Sequence, residues 1–194
     1  YGFDEAYMHQ ATKDFTGPIE PLEGSLPGRP ARYWHPAITY QGKQIPTGPD
    51  DYAEDMYVEF ILDFAKRHRS QPFLVYYPMS LPHITWDFDL NRMGYVAPPE
   101  LDANGRKTGR KGEPTLKASV EYIDHLMGRI MDGLAELGLR DDTILFFTCD
   151  NGTAGYGKGQ PVEERGSRVP MVVYGPNWVK PRGASDALVE NKIG

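Results

Sequence analysis

The stretch Thr143-Ile-Leu-Phe-Phe-Thr-Cys149 leads directly into Asp150-Asn151-Gly152, and this junction carries most of the fold prediction. A short apolar run that is rich in aromatic and branched residues is typical of a strand buried on both faces. Two similar runs occur along the chain, at Pro72–Pro78 before this stretch and at Val169–Tyr174 after it. The sequence therefore predicts three buried strands.

Two segments with helical spacing of apolar residues alternate with these strands. The first, Asp51–His68, opens with Asp51 and Glu54 at the spacing of a capping box. The second, Thr115–Leu137, is followed by Gly138, which predicts a glycine C-cap. Its inward stripe is predicted to consist of Val120, Ile123, Leu126, Met127, Ile130, Leu134 and Leu137. We predict an α/β fold in which helices sandwich a largely parallel sheet.

The domain organisation follows from length and composition. With 194 residues the chain is long enough to form one domain with a sizeable core. We predict a single domain over residues 1–194, in which 1–50 is an irregular, loop-rich segment and 51–194 is the α/β core. The chain starts without Met and stops after Glu190-Asn-Lys-Ile-Gly194 with no closing element, so we expect it to be a piece of a longer protein.

Composition disfavours several classes of function. Asp and Glu number 27 against 21 Lys and Arg, and the net charge of -6 argues against a nucleic-acid partner bound through a basic surface. No apolar run approaches the roughly 18 residues that a membrane-spanning helix needs, so we predict no membrane span. Cys149 is the single cysteine, which excludes an internal disulfide, and its place in an apolar strand predicts a small buried residue.

Asp150 and Asn151 are candidate metal ligands because they directly follow a predicted strand. Ligands of open parallel sheets bind beyond the carboxyl ends of the strands. Carboxylate and amide oxygens are hard ligands suited to Ca²⁺ or Mg²⁺, and two of them supply part of one coordination sphere. Two alternatives stay open: Asp150-Asn151-Gly152 can be a simple turn, and Asn151-Gly-Thr153 is a glycosylation sequon.

His83 and Lys158 are the other candidates for chemistry. His83 follows the first predicted strand in Ser80-Leu-Pro-His83, where an imidazole can donate a proton or contact an anion near neutral pH. Lys158 lies eight residues beyond Asp150 in a Gly-rich loop and can serve as a point charge for an anionic substrate. A structural histidine and a solvated lysine are the alternatives. The charged run Glu163–Arg168 is interpreted as an internal ion-pair network.

Taken together, these segments resemble the sulfatase family, which has the alkaline-phosphatase-like α/β fold. The resemblance is carried, in this order, by Val120–Met131, Leu137–Gly152, Lys158-Gly159 and Glu164–Pro170, with supporting matches at Gly2-Phe-Asp4 and Pro72–His83. Because these segments keep their order over most of the chain, they are more specific together than any one motif alone.

The resemblance implies roles for four residues. Asp150 and Asn151 match ligands of the family's divalent cation, usually Ca²⁺, with Mg²⁺ as the alternative. His83 matches the histidine that touches the sulfate and helps to protonate the leaving oxygen. Lys158 matches the lysine that holds the sulfate. His83 and Lys158 are thus expected to be both catalytic and substrate-binding residues.

The resemblance also implies a nucleophile that this chain does not contain. Sulfatases use a formylglycine made from Cys or Ser, far upstream of the element that resembles Gly2-Phe-Asp4. Ser25-Leu-Pro27-Gly-Arg29 follows that element and is interpreted as a coincidence. We therefore expect the C-terminal part of a sulfatase catalytic domain, inactive in isolation. Three departures are Cys149 in place of Ser, Arg165 in place of Gly, and one extra residue between Lys158 and the Val169-Pro170 pair.

The predicted function is hydrolysis of sulfate esters, with a sulfated small molecule or carbohydrate as the substrate. Two alternatives stay open. One is a phosphoryl- or phosphonate-ester hydrolase of the same superfamily, and the other is a catalytically inactive binding module. Retention of Asp150, Asn151, His83 and Lys158 disfavours the second alternative. The residues do not assign a compartment, and the resemblance is compatible with export to the periplasm, the cell exterior or the lysosome.

Overall fold

The computed structural model describes residues 2–9, 15–20, 28–152, 158 and 163–176. They belong to two compact units, 1–137 and 138–194, and each unit is described by itself. The elements of the first unit are β1 (Tyr7–His9), β2 (Ile19–Glu20), β3 (Arg29–Pro30), β4 (Ile38–Tyr40), β5 (Lys43–Ile45), α1 (Ala53–His68), β6 (Thr85–Asp87), β7 (Arg92–Gly94), β8 (Pro99–Leu101), β9 (Lys107–Lys111) and α2 (Leu116–Glu136). Those of the second unit are a 3-10 turn (Arg140–Asp142), β10 (Leu145–Thr148), α3 (Glu164–Ser167) and β11 (Met171–Tyr174).

The strand pairs of the described residues are all antiparallel, so the prediction of a largely parallel sheet sandwiched by helices is wrong for this part of the chain. In the first unit, β1, β4 and β5 form one small sheet and the other strands pair as two-stranded ribbons. In the second unit, β10 pairs with β11 from Leu145 opposite Tyr174 to Thr148 opposite Met171. The mixed content of helices and strands is confirmed.

The predicted strand Pro72–Pro78 is extended chain without a hydrogen-bonded strand partner among the described residues. Its Leu74 and Tyr76 side chains are 77% and 72% exposed. Proline lacks a backbone N–H, so Pro72 and Pro78 cannot donate to a ladder at either end of the segment. The apolar run thus identifies an extended segment correctly but not its pairing.

The segment 1–50, predicted to be irregular, contains five short strands and part of the core within its described residues. Ala31, Tyr33, Ala37 and Ile38 are all buried. Each of these strands has only two or three residues, which is too short to leave a detectable alternation of apolar and polar residues. Residues 10–14 and 21–27, which include Ser25 and Pro27, lie outside the described residues.

Both predicted helices are confirmed. Helix α1 starts at Ala53, and the predicted capping box is wrong, because Tyr52 is the N-cap and makes no side-chain cap bond. The Asp51 carboxylate instead accepts a hydrogen bond from the Gly48 N–H at 2.7 Å. Glu54 is turned into the interior. A local turn contact at Asp51 and long-range contacts at Glu54 therefore replace the capping pattern.

Helix α2 ends as predicted, with a glycine just beyond its C-cap. Thr115 caps the N-terminus by accepting a hydrogen bond from the Ala118 N–H at 3.1 Å, and Gly138 follows the C-cap with a positive φ of 71°. The stripe is rotated from the prediction, because Val120 is 49% exposed while Tyr122 is buried. The buried residues of this helix are Ser119, Tyr122, Leu126, Ile130 and Leu134. None of the helices in the described ranges combines the length and apolar character needed to cross a membrane.

A buried carboxylate links the two helices. Asp55, in the first turn of α1, accepts hydrogen bonds from the Tyr122 hydroxyl at 2.8 Å and from Arg129 Nη1 at 2.6 Å, both on α2. Lys107 Nζ on β9 lies 3.0 Å from the other carboxylate oxygen. A buried charge is tolerated when it is paired and fully hydrogen-bonded, so this cluster also orients α1 against α2.

Two glycines of α2 provide a test of the helix packing. A Cβ added at Gly133 would overlap Leu62 Cδ2 of α1, whereas one added at Gly128 meets nothing within 4 Å. We expect Gly128→Ala to raise the free energy of unfolding by about 0.5–1 kcal/mol, since alanine restricts the unfolded chain. Gly133→Ala should instead lower it by about 1 kcal/mol through overpacking. Urea denaturation of both variants checks the difference, and equal stabilisation would contradict the close helix contact.

A second cluster of charges surrounds Glu5. Its carboxylate lies 2.5 Å from Arg67 Nη1 and 2.8 Å from Nη2, accepts a hydrogen bond from the Tyr40 hydroxyl at 2.9 Å, and lies 3.2 Å from His68 Nε2. Hydrogen bonds from Arg67 lower the pKa of Glu5 from 4.5 to about 2. The cluster joins the N-terminal segment to the last turn of α1.

This lowered pKa predicts acid sensitivity. A carboxyl group whose pKa is lower in the folded state stabilises the protein above its unfolded pKa and loses that effect as the pH falls through the folded value. The stability difference between the wild type and Glu5→Gln should therefore be full above pH 4.5 and shrink as the pH falls to about 2. Denaturation curves across this range measure it. Arg67→Ala should abolish the same pH dependence, and a difference that does not vary with pH would rule out the ion pair as its source.

Candidate active site

His83 lies on an exposed loop between the extended segment 72–80 and strand β6. Its Nδ1 is 2.5 Å from the carbonyl oxygen of the neighbouring Ile84. A carbonyl oxygen can only accept a hydrogen bond, so Nδ1 carries a proton in this arrangement. Proton exchange with a substrate then falls to Nε2. The geometry is compatible with the predicted role of His83 as a proton donor.

Two buried side chains hold the backbone of this loop. The Glu54 carboxylate accepts a hydrogen bond from the Ser80 N–H at 2.9 Å and another from the Tyr77 hydroxyl. The Tyr33 hydroxyl lies 3.0 Å from the carbonyl oxygen of Ser80 and 2.8 Å from that of His83. Burial raises the pKa of Glu54.

Neither Glu54 nor Tyr33 is predicted from the sequence as a functional residue. Glu54 matches a capping-box position, which offered a sufficient local explanation, and Tyr33 lies in the segment predicted to be irregular. The one sequence signal for Glu54 is that a charged residue lies on the apolar side of an amphipathic helix. Glu54 precedes Val58 by four residues, and the side chains of both are fully buried.

Asp150 and Asn151 lie just beyond the end of β10, with Cys149 between Thr148 and Asp150, so the prediction that they follow a strand is confirmed. Asp150 is exposed and Asn151 is half-buried. The N–H of the next residue, Gly152, donates a hydrogen bond to the carbonyl oxygen of Gly166 in α3 at 3.0 Å. The strand exit is therefore tied to the charged segment that precedes β11.

That charged segment contains the predicted ion pairs. Arg165 Nε lies 2.5 Å from the Glu163 carboxylate, and Arg168 Nη1 lies 3.2 Å from the Glu164 carboxylate. These pairs confirm the interpretation of Glu163–Arg168 as an ion-pair network. Lys158 is exposed, and the neighbouring residues 153–157 and 159–162 lie outside the described residues.

Cys149 is exposed, so its prediction as a buried residue is wrong. Strand β10 ends at Thr148, and its side chains alternate between half-buried and exposed positions. Phe146, for example, is 66% exposed. A continuous apolar run did not guarantee burial on both faces, because β10 pairs in a two-stranded ribbon among the described strands.

The donor chemistry at the end of β10 fits a hard divalent cation. A carboxylate and an amide oxygen adjoin there, and each is a suitable ligand for Ca²⁺ or Mg²⁺. Within the described part of the chain, no group of three or more His, Cys, Asp or Glu side chains could hold a metal ion. Asp150 and Asn151 can thus supply two of the six to eight oxygens that Ca²⁺ takes.

The candidate residues divide between the two units. His83 lies in the first unit, and Asp150, Asn151 and Lys158 lie in the second. Adjacency in sequence at the end of β10 brings Asp150 and Asn151 together.

Comparisons with known proteins agree on one family. The family model described as Sulfatase matches residues 1–192. The human N-acetylgalactosamine-6-sulfatase is 34% identical over 100 residues, which is 51% of this chain and 16% of that protein. The goat (Capra hircus) N-acetylglucosamine-6-sulfatase is 24% identical over 197 residues, covering 83% of this chain and 34% of the relative. An N-acetylgalactosamine-6-O-sulfatase of Bacteroides thetaiotaomicron is 28% identical over 153 residues, covering 68% and 27%.

Solved structures show a similar fold. The crystal structure of Ps i-CgsB superposes with a TM-score of 0.52 at 21% identity, covering 73% of this chain and 31% of that one. The same protein in complex with k-i-k-neocarrahexaose gives a TM-score of 0.50. The matches to the curated relatives named above span 16% to 34% of each relative's length. Because the family model matches nearly the whole sequence, the chain belongs to the sulfatase family.

Proposed function

We propose that the protein hydrolyses sulfate esters and that its substrates are carbohydrate sulfates. The family match over residues 1–192 carries the proposal. The substrate class is supported by the names of the relatives, which are sulfatases of N-acetylgalactosamine and N-acetylglucosamine. An ester of a sugar hydroxyl has a poor leaving group, so its hydrolysis benefits from a proton donor at the departing oxygen.

In this proposal each candidate residue has one task. Asp150 and Asn151 hold a divalent cation, Ca²⁺ or Mg²⁺, which when bound neutralises negative charge on the transferred group. Lys158 binds the sulfate through its ammonium group. His83 gives a proton from Nε2 to the leaving oxygen while its Nδ1–H stays bonded to the Ile84 carbonyl. A formylglycine outside residues 1–194 supplies the nucleophile.

The test is hydrolysis by the full-length natural protein of two matched substrates, 4-nitrophenyl sulfate and 4-nitrophenyl phosphate. Their leaving group is the same, so the ratio of kcat/KM reports the transferred group alone. We expect the sulfate to react faster, and we expect sulfate release from 6-sulfated N-acetylgalactosamine or N-acetylglucosamine. A faster reaction with the phosphate would replace the proposal by a phosphoryl hydrolase. Saccharide binding without any turnover would replace it by a binding module.

A further inference from the structure

We propose that Tyr33 and Glu54 are positioning residues for His83, because together they fix the backbone of the loop that carries it. This inference rests on the proposed function of His83 as a proton donor. Neither side chain touches the exposed imidazole in the contacts described above. Tyr33 acts through the main chain of Ser80 and His83, and Glu54 acts through the Ser80 main chain and the Tyr77 hydroxyl, so the effect of both on catalysis is indirect.

Tyr33 holds the C-terminal half of the loop. Its side chain is almost fully buried, and its ring stacks on Tyr52 at a centroid distance of 5.9 Å. The hydroxyl faces the carbonyl oxygens of Ser80 and His83, so its proton is shared between two points three residues apart. The Ser80 carbonyl also accepts a hydrogen bond from the His83 N–H at 2.8 Å, which closes a turn. The hydroxyl therefore fixes both ends of the turn that presents the imidazole.

Glu54 holds the N-terminal half of the loop. Its carboxylate is fully buried in the first turn of α1 and binds the Ser80 N–H and the Tyr77 hydroxyl. A buried carboxyl group costs free energy, and an apolar residue of similar size is often as stable or more stable at such a site. Glu54 offers two acceptor oxygens to a segment that has no strand partner among the described residues. This is a specific positioning function that an apolar residue could not perform.

The position of the imidazole depends on this backbone. The Nδ1 contact of His83 is with its own neighbour, Ile84, so this contact moves with the loop. Proton transfer requires the donor and the leaving oxygen to come within hydrogen-bond distance. A displacement of about 1 Å at a reacting group can cost up to about 100-fold in rate.

The chain contains a matched control for Tyr33. Tyr52 is equally buried and stacks on the same ring, but its hydroxyl has no hydrogen-bond partner among the described residues. Tyr33→Phe and Tyr52→Phe therefore delete the same atom from neighbouring buried rings. Only the first deletion removes a contact with the loop of His83. Glu54→Gln is a second variant that keeps the side-chain volume and tests the same loop if Tyr33→Phe folds poorly.

The experiment compares these variants in the full-length protein with phenyl sulfate, a poor leaving group, and 4-nitrophenyl sulfate, a good one. We expect Tyr33→Phe to lower kcat for phenyl sulfate about 10-fold with little change in KM, and to affect the nitrophenyl ester less. Tyr52→Phe should leave both rates within about twofold of wild type. Adding Tyr33→Phe to His83→Ala should cause no further loss, because the group that Tyr33 positions is already absent.

The possible failures are distinguishable. If His83→Ala slows both esters equally, the proton-donor role of His83 fails, and the positioning role fails with it. If His83→Ala discriminates between the esters while Tyr33→Phe and Glu54→Gln do not, the positioning inference alone is overturned. An additive loss in the double variant would show that Tyr33 affects the rate by another route, which also overturns the inference.

Discussion

The Asp150→Ala variant of the full-length protein is expected to lose the proposed sulfatase activity and the proposed stabilisation by Ca²⁺ together. Removing one carboxylate takes away a charged ligand from the proposed cation site, for which Asp150 and Asn151 are the adjacent oxygen donors. A ligand that binds only the folded state stabilises it by ~2.7 kcal/mol at about 100 times its Kd. Thermal unfolding with and without Ca²⁺ measures this effect independently of turnover, and calorimetric titration gives the affinity.

Asp141→Ala provides the control for this prediction. Asp141 is an exposed aspartate of the same unit, on the 3-10 turn before β10. This substitution removes the same charge from the chain without altering the residues at the end of β10. Its Ca²⁺ response and activity should match the wild type. A fully active Asp150→Ala variant with an unchanged Ca²⁺ response would refute the metal assignment.

The second large effect is expected for His83→Ala, which should slow esters with poor leaving groups by about 10²–10⁴-fold. A good leaving group departs without protonation, so 4-nitrophenyl sulfate should lose much less. The dependence of kcat/KM on leaving-group pKa should accordingly become steeper in the variant. A series of substituted phenyl sulfates measures that slope.

Ile84→Ala is the control for the loop itself. Ile84 is the exposed neighbour of His83, and its replacement keeps the backbone carbonyl that accepts the Nδ1–H bond. We expect near wild-type rates with both classes of ester. An equal loss with good and poor leaving groups in His83→Ala would assign His83 to substrate binding and not to proton donation.

Long amphipathic helices could be predicted from the sequence to within about two residues. α1 and α2 have 16 and 21 residues, which is long enough for the apolar period to be read without knowledge of their partners. The short strands of 1–50 could not be predicted. Pro72–Pro78 is predicted to be a strand but has no strand partner among the described residues. Its composition indicates an extended chain but cannot show whether another strand lies beside it.

The candidate site residues also differ in whether they could be identified from the sequence. Asp150, Asn151 and His83 could be identified locally, since each follows an apolar run that ends at a turn or a proline. Glu54 and Tyr33 could not, because their partners Ser80 and His83 lie far away along the chain. The capping-box pattern at Glu54 was locally consistent, and a contact across 26 residues overrode it.

The sequence by itself therefore determined the two helices, the exit of β10 at Asp150-Asn151-Gly152 and the membership of the family. These features depend on the order and spacing of nearby residues, which the amino-acid sequence contains directly. The tertiary structure alone decided the antiparallel pairing of the strands and the anchoring of the His83 loop by Tyr33 and Glu54. Hydrogen bonds between distant segments are selected by packing of the whole unit, and no local pattern specifies which donor meets which acceptor.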